Sequence, residues 1–249
     1  MASLNFRWIV TPLGALALLG VAASASAQDA PPKDDATTDH AKVVGHIGVG
    51  YFGQYDVPLG LPAAGADDGA AQAAQLVGIR TWLQDRVGLD LALGWGMKSG
   101  SISNNGTSAD RPSTLTFALH AGVPISLFDA KHYTFFIKPE ITYGHSGRTV
   151  KAPLGAPAGT PDSTFAGHNL QIGARAGAEI HFGFIGLPNL TLDATVGLHL
   201  GITGGSQKIP TGAGNATNET TYTATSLETV SFHQPWNIFI SNVAAIYYF

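Results

Sequence analysis

From Val43 to Phe249 apolar and polar residues take alternate places along the chain. In Val87 to Met97 the odd positions are Val87, Leu89, Leu91, Leu93, Trp95 and Met97, and the even ones are Gly88, Asp90, Ala92, Gly94 and Gly96. Thr114 to Val123, Phe135 to Gly144, Leu170 to His181 and Leu190 to Ile202 repeat the pattern, and Val43 to Tyr55 places Val43, Ile47, Val49, Tyr51 and Tyr55 against His46, Gly48, Gly50 and Gln54. Ala73 to Leu83 and Asn237 to Phe249 alternate less cleanly. A period of two is that of a β-strand, since a helix would need apolar residues at i, i+3, i+4 and i+7. The sequence therefore predicts eight strands and an all-β fold.

Alternation alone does not say which face is wet; length and spacing do. Segments of about 10–13 residues suit tilted strands crossing a hydrocarbon layer of roughly 25–30 Å. The connections alternate in length. Gln84 to Arg86, Pro124 to His132 and Gly183 to Asn189 are short, whereas Asp56 to Ala71, Lys98 to Ser113, Thr149 to Ala166 and Gly204 to about Gln234 are long. Short turns on one side and long loops on the other are the habit of outer-membrane barrels. Aromatic residues collect near the strand ends, with Tyr51, Tyr55, Trp95 and Tyr143 toward the long loops and Tyr133, Phe135, Phe182, Tyr247 and Phe249 toward the short ones, as two interfacial girdles would. An even strand number puts both chain ends on the periplasmic side. A hairpin hidden near Thr220 to Ser231 would raise the number to ten.

The last strand ends Tyr247-Tyr248-Phe249 after Val243 and Ala245, and this terminus resembles the one that outer-membrane proteins present to their assembly machinery. With the loop alternation, it makes residues 43–249 resemble the small eight-stranded outer-membrane barrels of the OmpA transmembrane-domain, OmpX and OmpW type. The resemblance implies a closed antiparallel up-and-down transmembrane β-barrel with both termini in the periplasm, a monomer whose partners are outer-membrane lipid and, through Phe249, the barrel assembly machinery. It carries over no catalytic or ligand motif.

Ahead of the strands, Arg7 is followed by the apolar run Ile9 to Ala22 and then by Ala25-Ser26-Ala27. That is the layout of a cleaved signal peptide over residues 1–27, too short to span a membrane as a helix. Residues 28–42 have two prolines, four aspartates and no apolar period, and read as a flexible periplasmic linker.

Charge changes the picture inside the ring. Only 12% of residues are charged, about half the usual share. The net charge of −4 offers no basic footprint for nucleic acid, and with no cysteine the chain cannot form disulfides or thiolate metal sites. The ionisable residues that do occur in strands fall on the glycine-bearing face: Arg80, Asp90, Lys138, Glu140, Arg175, Glu179 and Asp193, with His46, His120, His181 and His199. An eight-stranded barrel is just wide enough for side chains to fill, and charges away from water persist when paired. This predicts a structural charge network. A tight turn at Gln84 to Arg86 sets Arg80 opposite Asp90; Glu140 can reach Arg175; and Glu179 should face Asp193, with Arg175, Lys138 or a histidine between the two carboxylates.

Other chemistry is weakly indicated. The nine histidines lack HExxH or short paired spacing, so no metal and no cofactor is expected. His145-Ser146 near Glu140 has the residue types of a membrane lipid hydrolase, but parity sends His145 outward and the other two inward, and a triad needs one shared face. Glu179 with Asp193 has the residue types of a glycosidase pair in an interior without room for sugar. The expectation is a non-catalytic envelope protein, structural or surface-interacting; the alternatives are a narrow channel for ions or small apolar solutes and a lipid-modifying enzyme.

Overall fold

In the computed structural model the described residues are 37–59, 71–104, 107–152, 156, 158–211, 216–229 and 243–249. The expected signal segment and most of the linker lie outside them.

The fold is all-β and antiparallel. The strands are β1 (Ile47–Pro58), β2 (Ala71–Gln84), β3 (Val87–Lys98), β4 (Ser101–Asn104), β5 (Thr107–Asp110), β6 (Ser113–Gly122), β7 (Ile125–Asp129), β8 (Tyr133–Val150), β9 (Ser163–Phe182), β10 (Leu187–Pro210), β11 (Thr217–Thr229) and β12 (Val243–Tyr248). They close on themselves in the order β1-β2-β3-β6-β8-β9-β10-β12-β1, an eight-membered ring among the described residues. β7 continues the lane of β6 after Val123-Pro124, pairing with β8 and touching β3 at Val87↔Ile125. β11 and β12 share the remaining lane, since both pair with the same edge of β10, β12 along Leu190 to Ala194 and β11 along Leu198 to Pro210. Near Thr220 to Ser231, where a hidden hairpin would make ten strands, the described residues through Thr229 form one strand that shares a lane already counted; residues 230 and 231 lie outside the described residues. β4 and β5 make a separate hairpin where a plain loop was expected.

Side chains sort by parity. The outer face carries aliphatic and aromatic residues such as Leu91, Leu93, Trp95, Leu119, Ile137 and Leu198, while Arg80, Asp90, Glu179 and Asp193 are buried on the inner face. β7 breaks the rule at Leu127, and β1 breaks it more deeply. Tyr51 pairs with Val77 and Gly53 with Leu76, so Phe52 is an extra residue in a β-bulge. Gly53 has φ 106°, a left-handed conformation that glycine adopts without a Cβ clash. Beyond the bulge the parity inverts: Tyr55 and Val57 point inward. Tyr55, expected in the outer aromatic girdle, instead donates from its hydroxyl to the Asn169 carbonyl at 3.2 Å. The end of β1 leans across the ring, where a Cβ on Gly144 would fall 2.8 Å from Tyr55 Cε1; glycine permits that approach.

The end of the ring carrying Ile47 and Phe249, hereafter the near end, holds a short helix, α1 (Asp39–Val43). Thr38 caps it, its hydroxyl accepting from Ala41 N at 3.2 Å. Within the stretch expected as linker, Asp39–Val43 is a capped helix. Val43 packs with Trp82, Ile246 and Tyr248, and Asp39 accepts from Lys42 Nζ at 2.8 Å and lies 2.6 Å from His132 Nδ1. Burial of an apolar side chain and a paired carboxylate is what the linker reading missed.

Candidate functional site

The inner face holds a charge cluster built by five strands. β2 contributes Arg80 and β3 Asp90, direct partners in the ladder. β8 contributes Lys138 and Glu140, β9 Arg175 and Glu179, and β10 Asp193, the direct partner of Glu179. Each stands two residues from the next inward position of its strand, as the pleat requires.

Arg80 is the hub. Its Nε and Nη2 donate to Asp90 at 2.6 and 2.7 Å, a bidentate fork. Its Nη1 lies 2.6 Å from Asp193 and 3.5 Å from Glu179. The guanidinium also lies over the Phe52 and Phe136 rings, at 5.9 and 5.5 Å. Lys138 Nζ sits 3.3 Å from Asp90 and 3.5 Å from Glu140. Arg175 Nε donates to Glu140 at 2.6 Å, and His199 Nε2 lies 2.8 Å from the same oxygen. The seven residues carry three positive and four negative formal charges.

Arg80 faces Asp90, although the turn differs: Gln84 pairs with Val87, leaving Leu83 as the extra residue. Glu140 meets Arg175. Glu179 faces Asp193, but the cation between them is Arg80 from the other side of the ring, not Arg175, Lys138 or a histidine. Strand parity gives the side a residue faces; it does not give which residue reaches across a narrow interior. His120 and His181 are buried and His199 is largely so; His120 Nδ1 lies 2.8 Å from Thr142 Oγ1. His46 does not join them: it is exposed at the near end, its Nδ1 2.6 Å from the Phe249 carbonyl.

Two contributors were missed. Tyr248 donates from its hydroxyl to Glu179 at 2.9 Å, and Trp82 is wholly buried under the cluster. Both sit at even, inward positions, so parity would have found them had apolar type not suggested the outer face. The remaining space beside the cluster, among Phe52, His120, Lys138, Glu140 and Arg175, is about 30 Å³, room for a water or two. Ser146 faces inward and its hydroxyl donates to the Pro58 carbonyl, while His145 lies against Phe117 on the other face. The chain matches no family model, no curated protein and no solved structure.

Proposed function

We propose that this chain is an integral outer-membrane β-barrel with a cleaved signal peptide and periplasmic termini, a monomer whose filled interior serves structure and whose long loops face outward. The observation that carries the reading is the outer face itself. Leu91, Leu93, Trp95, Leu119, Ile137, Ile141, Leu198 and Leu200 are each at least 40% exposed, an apolar band for which water is a poor solvent and lipid a good one. A closed ring also leaves its spanning strands without open hydrogen-bonding edges, which hydrocarbon demands. The aromatic residues Tyr133, Phe135, Tyr247 and Phe249 stand exposed toward the near end, as an interfacial girdle would.

Within that placement the role is non-catalytic, in envelope structure or surface interaction, with lipid as the surrounding partner and Phe249 as the handle for the assembly machinery. Side chains fill the interior, and the buried charges are paired with one another. Leu93→Arg should weaken refolding into lipid vesicles by about 2–4 kcal/mol, the cost of a cation near the bilayer midplane. Recovery of the native chain in the soluble fraction, or an unchanged stability of that variant, would sink the placement. Reproducible single-channel currents lost on Arg175→Ala would replace the structural role with a pore, and altered lipid A on deletion of the gene would replace it with lipid modification.

A further inference from the structure

At the near end three buried side chains converge from two elements. α1 brings His40, and β9 brings Glu179 and His181, two residues apart and therefore on one face of the strand. One ligand atom from each lies within 4.8 Å of the others. We infer that His40, Glu179 and His181 bind a divalent transition-metal ion of the zinc class, which clamps α1 to the ring.

The hydrogen bonds around the three residues leave one nitrogen of each imidazole bare, and one oxygen of Glu179 with no hydrogen bond and only the longer ion pair to Arg80. His40 Nε2 lies 2.8 Å from the Asp85 carbonyl. A carbonyl only accepts, so that nitrogen carries the proton and Nδ1 of the neutral ring presents a lone pair. His40 Nδ1 is buried without a hydrogen-bond partner, and so are His181 Nδ1 and Glu179 Oε2. His181 Nε2 lies 3.3 Å from Thr134 Oγ1, and the other Glu179 oxygen accepts from Tyr248 at 2.9 Å. Imidazoles whose second nitrogen is held by a carbonyl or hydroxyl, and a carboxylate whose second oxygen is held by a phenol, are the outer shell that orients metal ligands. Two imidazoles and one carboxylate are the donor set of zinc and its first-row neighbours. The carboxylate also lies 3.5 Å from Arg80, and Asp129 stands 4.0 Å from His40 Nε2, so one added dication faces acids as well as the guanidinium. A histidine pair that merely filled space against Trp82, which His40 meets edge-on at 4.5 Å, would leave both Nδ1 atoms bare in a dry interior, an arrangement native proteins avoid.

The test is zinc titration of the full exported chain, purified in detergent and stripped with a chelator, read by calorimetry and by the visible spectrum of the cobalt-substituted protein. The expected result is one saturable equivalent and slower hydrogen exchange at α1. Affinity should fall at least about 10-fold in His40→Ala and His181→Ala and stay unchanged in His46→Ala, whose histidine is exposed at the same end. His40→Ala alters only the helix, so heat-modifiable migration should report an intact ring beside the lost binding. Absence of saturable zinc binding by the wild-type chain, or equal binding by His181→Ala, would overturn the inference.

Discussion

Two clusters in the ring interior, one charged and one apolar, are held by opposite means, and a second apolar group of Val43, Trp82, Ile246 and Tyr248 closes the near end. In the near half Arg80, Asp90, Lys138, Glu140, Glu179 and Asp193 are buried against one another, and their order depends on charge pairing at hydrogen-bond distance. In the far half Tyr55, Val57, Ala74, Leu76, Ala92 and Ala118 form a small apolar core, and order depends on shape. A single closed sheet can therefore hold both kinds of interior. The charged residues themselves all stand at regular inward positions of their strands. The apolar half exists because β1 breaks parity at Phe52 and Gly53 and sends its own end inward. Charged packing is directional and fails abruptly when one partner is lost; apolar packing fails by degrees.

That contrast can be broken first at Arg80. Arg80→Met leaves Asp90, Glu179 and Asp193 buried beside one another without their shared cation, and should cost about 3–5 kcal/mol in urea unfolding from lipid vesicles. Val57→Ala, in the apolar half, should cost about 2 kcal/mol in the same assay and leave unfolding cooperative. An equal or larger loss at Val57 would reverse the ranking of the two halves. Gly53→Ala tests the hinge between them. A Cβ at φ 106° should cost about 1 kcal/mol, and fluorescence of Tyr55 should report its shift toward the wet end.

The smallest effect lies outside both halves, at Asp39. Burial pushes its carboxyl up, but hydrogen bonds and charge from Lys42 and His132 outweigh burial and hold it below the ordinary 3.8. Because the folded value lies below the unfolded one, the contribution to helix docking is complete at neutral pH. It declines as pH falls past the ordinary value and is lost below the lowered one. Lys42 is about half exposed and asparagine keeps a hydrogen-bonding oxygen, so Asp39→Asn should cost under about 1 kcal/mol in helix docking at neutral pH. Hydrogen exchange at α1 should speed up in acid for the wild type, and this acid limb should vanish in the variant.

How far the sequence could be read follows from the same physics. Alternation revealed the strands and the side each charge faces because the pleat has a period of two. It failed at Tyr55 because one glycine among Gly48, Gly50 and Gly53 takes the left-handed turn, and nothing local marks which. It failed at Asp39–Val43 because five residues are too few to show a helical period. It failed at Thr217–Thr229 because that strand is exposed over nearly its whole length, so no apolar face was needed to make it. For the charge cluster, parity placed Arg80, Asp90, Glu179 and Asp193 inward. That Arg80 spans three carboxylates depends on the width of the ring, which no single strand encodes.

The strands are unequal in height. β10 runs for 24 residues and β3 for 12, so at about 3.3 Å per residue one wall is close to twice as tall as the wall opposite. In the proposed membrane placement β8, β9, β10 and β11 would rise past the lipid as a one-sided parapet, ladder-bonded for its whole height yet wetted on both faces. A molecule arriving from outside would then meet a lee and a windward side: one half of the ring screened by stiff sheet, the other a lower rim from which the β4–β5 pair springs.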